Sequence, residues 1–474
     1  MTTGLKIDDI DPRIAAWHQE WKINRDIVEG ERAIKADASR KLYLPMESGL
    51  SDAQHAAIVA RTPFFPGASR AYEGLLGLIF RKAATVTAPN NALSILETIT
   101  ADYLTVDDLA EEVAGEFLKT NFVGLLVDVA ANSEGLSVAQ AEAAGSRPFI
   151  RVYTAESILG VEAGTIGGLL APVRVRLQED SNTILELRFE GGAYTVTKWE
   201  RVNATGEYVV TDTMTPLRNG QPLPAIPFTL VSTNRRYAPA KAKIADVARL
   251  NKQHYIASAN LAQCDFFVSH PTPYLFGPKG VASLSLAPGA FISGETKGGD
   301  VKIGMLEYSG QAIEQLAHRV TSLNSDMAKV GSRILADEKS AVEAAETMKV
   351  KTASENAALA STARLISRKI TDALKWVAFW MGLDETALAY EANTDYGSSK
   401  LTKDEVAAYS DLWMKGVYSL DTLLDLLIEG EVLPETFDKE ADAERRAQEI
   451  SDRPPVDATI PLTTSSDNQH QTAA

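Results

Sequence analysis

Between Met305 and Trp380 the chain carries two long helical stretches separated by a short polar run. In the first, Ile313, Leu316, Val320, Leu323, Met327 and Val330 recur at alternating spacings of three and four. That spacing places them on one narrow stripe of a helix. Gly331 and the polar residues through Ser340 are expected to interrupt it. The second stretch is rich in Ala and Glu and runs from Ala341 through Leu365 to Trp376 and Trp380. So narrow an apolar stripe needs a partner, either core of the same chain or a neighbouring copy. Assembly is the first expectation and catalysis the second.

A chain of 474 residues can bury a large core, and two or three structural regions are expected. A hydrophobic content of 45% with 23% charged residues is that of a soluble globular protein. The net charge of −16 argues against tight, sequence-independent nucleic-acid binding, which needs a basic face. It is compatible with DNA passing close by, because an acidic wall repels a phosphate backbone. The lone cysteine, Cys264, excludes an intrachain disulfide framework and a thiolate metal cluster. Its apolar setting, Leu261 to Phe267, predicts a buried, inert thiol. Neither a signal peptide nor an apolar run of the ~20 residues a membrane span needs is visible, so a soluble chain made in a cytosol is expected.

Asp11-Pro12 reads as N-cap and first helical residue, with Ile14, Trp17, Trp21 and Val28 on one face up to Gly30. A helical zone from about residue 52 to 82 is broken around Pro63 and Pro66. Thr105 and Asp108 form a capping-box-like start to a helix that buries Leu109, Val113 and Phe117. Gly124 to Val129 reads as a buried strand. From Pro148 to about Thr213 the period falls to two, with Val173, Val175 and Leu177 alternating and Gly191-Gly192 turning a hairpin. An antiparallel meander is expected there. Helix returns over about 240–262, and Thr402 to Glu429 forms a smaller helical unit. The Thr-, Ser-, Gln- and Asn-rich tail beyond Pro455 is expected to be disordered.

Signs of chemistry are sparse. No two of His18, His55, His254, His270, His318 and His470 lie three or four apart, so the helix-borne metal pair is absent. There is no Gly-x-Ser-x-Gly elbow, and Gly277-Pro-Lys-Gly280 lacks the spacing of a phosphate-cradling loop. No cofactor or metal is expected. Arg235-Arg236-Tyr237, with Lys241 and Lys243 nearby, reads either as a solvated helix entry or as a phosphate contact.

Several strings resemble a bacteriophage portal subfamily long known only as a domain of unknown function. They are Tyr43-Leu-Pro45, Arg70-Ala-Tyr72 through Gly77-Leu-Ile-Phe-Arg81, Gly124-Leu-Leu-Val-Asp128, Asp246 to Tyr255, and Glu343-Ala-Ala-Glu-Thr347 with Glu355 to Leu359. Together, from roughly residue 10 to 450, they follow the order of a portal subunit. The resemblance implies an α+β portal fold, mainly helical wing, stem and crown with a small antiparallel β-rich clip. It would divide the chain into a wing (1–164), clip (165–225), stem helix (226–268), wing strands with long helix and tunnel loop (269–340), crown (341–450) and tail (451–474).

The resemblance further implies a homo-oligomeric ring, twelve subunits in a virion, at one capsid vertex, assembled in the host cytoplasm. Its partners would be the terminase large subunit, a head-tail adaptor, the major capsid and scaffold proteins, and double-stranded DNA passing without sequence specificity, with no membrane. By position, the tunnel loop facing DNA would carry Arg333, Asp337, Glu338 and Lys339. Portals have no ATPase of their own, in keeping with the missing phosphate loop and with a non-enzymatic subunit. Two alternatives are another head-tail structural protein and a cytosolic hydrolase with an unrecognised carboxylate site.

Overall fold

A computed structural model describes residues 6–129, 147–201, 206–218, 220–269, 272–277, 292–295, 302–306, 310–335, 345–394, 396, 401, 403–434 and 436–451. The chain forms two compact units, Met1–Tyr396 and Gly397–Ala474. It is α+β, mixing helices with largely antiparallel sheets.

The first unit begins with short helices α1 (Pro12–Ala15), α2 (His18–Glu29), α3 (Glu31–Lys35) and α4 (Arg40–Tyr43). Asp11 caps α1 by accepting from the Arg13 N–H, with Pro12 at the first helical position. The single helix expected up to Gly30 is split at Trp17. Helix α5 (Asp52–Arg61) carries a capping box between Ser51 and Gln54, and α6 (Gly67–Ile79) restarts beyond the Pro63–Pro66 break. The strand β1 (Thr85–Thr87) and the short α7 (Leu93–Leu96) lead to α8 (Val106–Thr120). Its Thr105–Asp108 capping box is formed in both directions. Asn121, in the left-handed conformation at φ 53°, ends it.

β2 (Val123–Val129) and β3 (Pro148–Tyr153) pair antiparallel, and β2 then pairs with β11 (Phe228–Val231) from far along the chain. Inserted between them is a five-stranded antiparallel meander: β4 (Ile158–Ile166), β5 (Leu169–Gln178), β6 (Thr183–Glu190), β7 (Ala193–Arg201) and β8 (Tyr208–Met214). Gly191 and Gly192, both at positive φ, form the two-residue turn between β6 and β7. The meander starts at Ile158, before the expected clip boundary. Its apolar face is not separate from the body, because Val175, Leu177, Leu187 and Tyr194 share a core with Ile14, Trp21 and Phe122. A two-stranded pair, β9 (Leu217–Arg218) with β10 (Gln221–Pro222), precedes β11.

Helix α9 (Ala245–Ser269) starts later and runs further than the expected 240–262. In the next sheet, β12 (Thr272–Gly277) lies between β13 (Ile292–Glu295), parallel to it, and β14 (Lys302–Leu306), antiparallel to it. Two long helices follow, α10 (Gly310–Leu335) and α11 (Ala345–Met381), then β15 (Ala389–Glu391), which pairs with β1. Although placed in the expected crown, α11 belongs to the first unit. Ala363, Ile366, Ile370, Leu374 and Val377 are fully buried against residues of α8, β2 and β3. The second unit holds α12 (Lys403–Met414), α13 (Leu420–Glu429), capped by Ser419, and α14 (Lys439–Ser451). The tail beyond Ser451 lies outside the described residues.

Candidate functional site

Helix α10 carries the apolar stripe, and the structure lays it against α6 and α9 of the same chain. Leu323 and Met327 are buried, whereas Ile313, Leu316, Val320 and Val330 are half-buried. The packing at Met327 is tight against Gly67, where a Cβ would lie 3.1 Å from Met327 Sδ. The expected interruption at Gly331 does not occur, and α10 continues to Leu335. A glycine costs a helix interior only about 1 kcal/mol, which packing of this face can offset. Gly331 is buried opposite Ala71. Arg333 therefore sits in the last turn of α10, while Asp337, Glu338 and Lys339 lie outside the described residues.

Beside the stripe is a recess of about 330 Å³ lined by Pro63, Phe64, Phe65, His254, Val320 and Asn324, among others. The buried His254 Nε2 and Asn324 Oδ1 have no hydrogen-bond partner among the described residues. Burial lowers the His254 pKa and so favours the neutral ring.

The basic sequence Arg235-Arg236-Tyr237 forms a turn after β11. Asn121 holds this turn, because its Oδ1 accepts from Thr233 N at 2.9 Å while its Nδ2 donates to Thr233 Oγ1 at 2.8 Å and to Lys241 O at 2.9 Å. Asn234 Oδ1 accepts from Arg236 N at 2.9 Å, and Tyr237 takes φ 55°. Lys241 is engaged with Asp246 at 2.6 Å rather than joining the arginines. What the turn faces was not legible in sequence. Arg235 and Tyr237 line a recess of about 210 Å³ together with Arg368 and Lys369 of α11. Arg368 and Lys369 carry no local sequence signal, because two cations on the polar side of an amphipathic helix are ordinary.

Among the described residues the meander ends in a free edge: β8 pairs only with β7, and Val209, Val210 and Met214 are exposed along it. Leu169, 75% exposed, and Leu170 stand beside the Gly167–Gly168 turn. The middle of the sheet is braced at Glu186, which accepts from Arg174 Nε at 2.6 Å and Arg188 Nη2 at 2.9 Å. Those arginines hold its pKa low against the opposing effect of burial.

Cys264 is half-buried rather than buried, since it sits on the later part of α9, where residues 261–264 are only partly covered. His55 is buried with Nε2 2.8 Å from Leu44 O, and His318 is exposed. His270 and His470 lie outside the described residues. Among the described residues no group of His, Cys, Asp or Glu is arranged to hold a metal ion, and no helix is long and apolar enough to cross a membrane.

Residues 243–381, the segment from the start of α9 to the end of α11, match a family described as a domain of unknown function, DUF4055. No curated protein matches the sequence. Among solved structures, the chain is similar to one described as the neck of an empty GTA particle computed with C6 symmetry, at 13% identity and a TM-score of 0.39, over 83% of this chain and 98% of that one.

Proposed function

We propose that the chain is a non-enzymatic structural subunit of a phage head-to-tail junction, and specifically a portal subunit that assembles with copies of itself into a ring. The observation that carries this reading is the order of segments in the first unit. An antiparallel meander is inserted between strands of one sheet, and a return helix and two long helices follow it. That order is the one the sequence resemblance implies. Support also comes from the match to a domain of unknown function over 243–381, which contains the strings Asp246–Tyr255, Glu343–Thr347 and Glu355–Leu359.

The free edge of β8 fits such an assembly. An unpaired strand with exposed apolar side chains is a template for another chain unless something covers it, and a closed ring gives every copy the same cover. The net charge of −16, repeated around a ring, would let DNA slide through rather than adhere. Terminase, an adaptor and capsid proteins would be the partners in this reading, and twelve the subunit number in a virion.

The test is mass photometry of the purified chain with negative-stain images of the same sample. Rings of about a dozen subunits with a central hole are expected. A sharp monomer that does not assemble with its capsid and scaffold partners would refute the reading.

A further inference from the structure

The recess between the 232–237 turn and α11 is out of character for so acidic a chain. Arg235, Arg368 and Lys369 line it, with the hydroxyl-bearing Ser232 and Tyr237. Arg235 and Arg368 are exposed and form no ion pair with any described residue. Lys369 has only a long contact, 3.7 Å, to Asp372 Oδ2, and Asp372 Oδ1 is already taken by Lys375 Nζ at 3.1 Å. Among the described residues one carboxylate thus serves two lysines, and both guanidinium groups are left without a counter-charge.

We infer that this recess binds a phosphate-class oxyanion. Guanidinium groups offer planar pairs of N–H donors that match two oxygens of a phosphate at once, and an ammonium adds a point charge. The volume suits it. About 210 Å³ falls below the ~300–1,000 Å³ of pockets for drug-sized organic ligands, and leaves room for a tetrahedral anion with some of its water. The site is also held in place before any ligand arrives. Asn121 pins the turn from one side, and α11 is locked by the buried Ile366 and Ile370 flanking the cations. Lys369 is held below its ordinary pKa, first by burial and further by Arg368 and Lys375, against the pull of Asp372. A bound anion would relieve that repulsion.

The phosphate could be a free anion or a phosphodiester of duplex DNA, and the inference does not depend on the ring reading. The test uses the full chain and a double variant, Arg235→Gln with Arg368→Gln. Both positions are exposed, and an unchanged melting temperature in sodium chloride confirms that the variant is folded. Sodium phosphate at matched pH and ionic strength is expected to raise the wild-type melting temperature saturably, and the variant is expected to bind phosphate roughly tenfold or more weakly. Lys198→Gln, on β7 and not among the residues lining the recess, should keep the response. An equal response in wild type and double variant, no response in wild type, or the same response to acetate would each overturn the site.

Anisotropy of a labelled DNA duplex then distinguishes the sources. Duplex binding with a salt slope shallower in the variant, by about one for each arginine that neutralised a phosphate, assigns the phosphate to DNA. A phosphate response without duplex binding assigns it to a free anion.

Discussion

Asn251 Oδ1 accepts the backbone N–H of Ala68 at 2.8 Å, across 183 residues of chain. The same carboxamide donates through Nδ2 to Phe65 O at 2.9 Å. Helix α6 begins after Pro66 with no side-chain cap of its own, so one of its free N–H groups is satisfied from α9 instead. Asn251 lies within the Asp246–Tyr255 string and is fully buried, which gives that string a structural purpose. Replacing it by Leu would leave the buried Ala68 N–H unmet, while Phe65 O would keep only its bond from Gly67 N at 3.0 Å. The expected loss is about 1–3 kcal/mol, read from the urea midpoint, and an unchanged midpoint would remove the capping role.

Arg25 bridges α2, α8 and the turn Ala155–Ser157 before β4, donating to both oxygens of Glu116 at 2.8 and 2.6 Å and to Glu156 at 2.9 and 2.7 Å. Burial pushes the Glu116 pKa up, but the Arg25 hydrogen bonds and charge outweigh it and the net shift is downward. A carboxylate with a depressed folded pKa contributes stability above its unfolded value, ordinarily 4.5, and loses it as pH falls through the folded value. Melting temperature should therefore drop on acidification below that range, and Glu116→Gln should flatten the drop. An identical acid profile for the variant would show that another group controls it.

Leu323→Ala or Met327→Ala should cost about 2–5 kcal/mol, because both side chains are buried against α6 and α9. Leu316→Ala, at a half-buried position, should cost clearly less. Denaturant unfolding of the three variants checks the order. Equal small losses at all three would mean that the stripe has its main partner elsewhere.

The buried Arg176 donates from one nitrogen, Nη1, to the carbonyls of Lys6, Ile7 and Asp9 at 2.8, 3.0 and 2.6 Å. Gly160 makes room for it, since a Cβ there would lie 2.7 Å from Arg176 Nη2. Arg176→Met should free the amino-terminal strap, and Gly160→Val should do so by displacing the arginine. Limited proteolysis would then cut within the first dozen or so residues, roughly the span before α1, at lower protease in both variants than in wild type.

Val210→Lys places a charge on the free edge of β8. At an exposed position it should change monomer stability by no more than about 0.5 kcal/mol. Under the ring reading it should lower the assembled fraction seen by mass photometry. Unaltered assembly would take β8 out of the subunit interface.

Much of the local structure was legible. The Thr105–Asp108 box, the Asp11-Pro12 start, the break at Pro63–Pro66 and the Gly191-Gly192 hairpin all follow from rules acting over a few residues, and each appears in the fold. The stop expected at Gly331 failed for a related reason. Glycine is only a weak breaker, and packing of α10 overrides it. The depth of Cys264 failed because an apolar neighbourhood in sequence does not say how much of a helix face is covered.

The sequence by itself determined the elements and their order, because helix caps, turns and hydrophobic periods are set by backbone sterics and short-range hydrogen bonds. Only the tertiary structure decided which distant residues meet. The pairing of β11 with β2, the capping of α6 by Asn251, and the meeting of Arg235 with Arg368 and Lys369 each join positions a hundred or more residues apart. Such meetings are selected by the packing of whole faces against one another, a property of the folded chain that no local window contains.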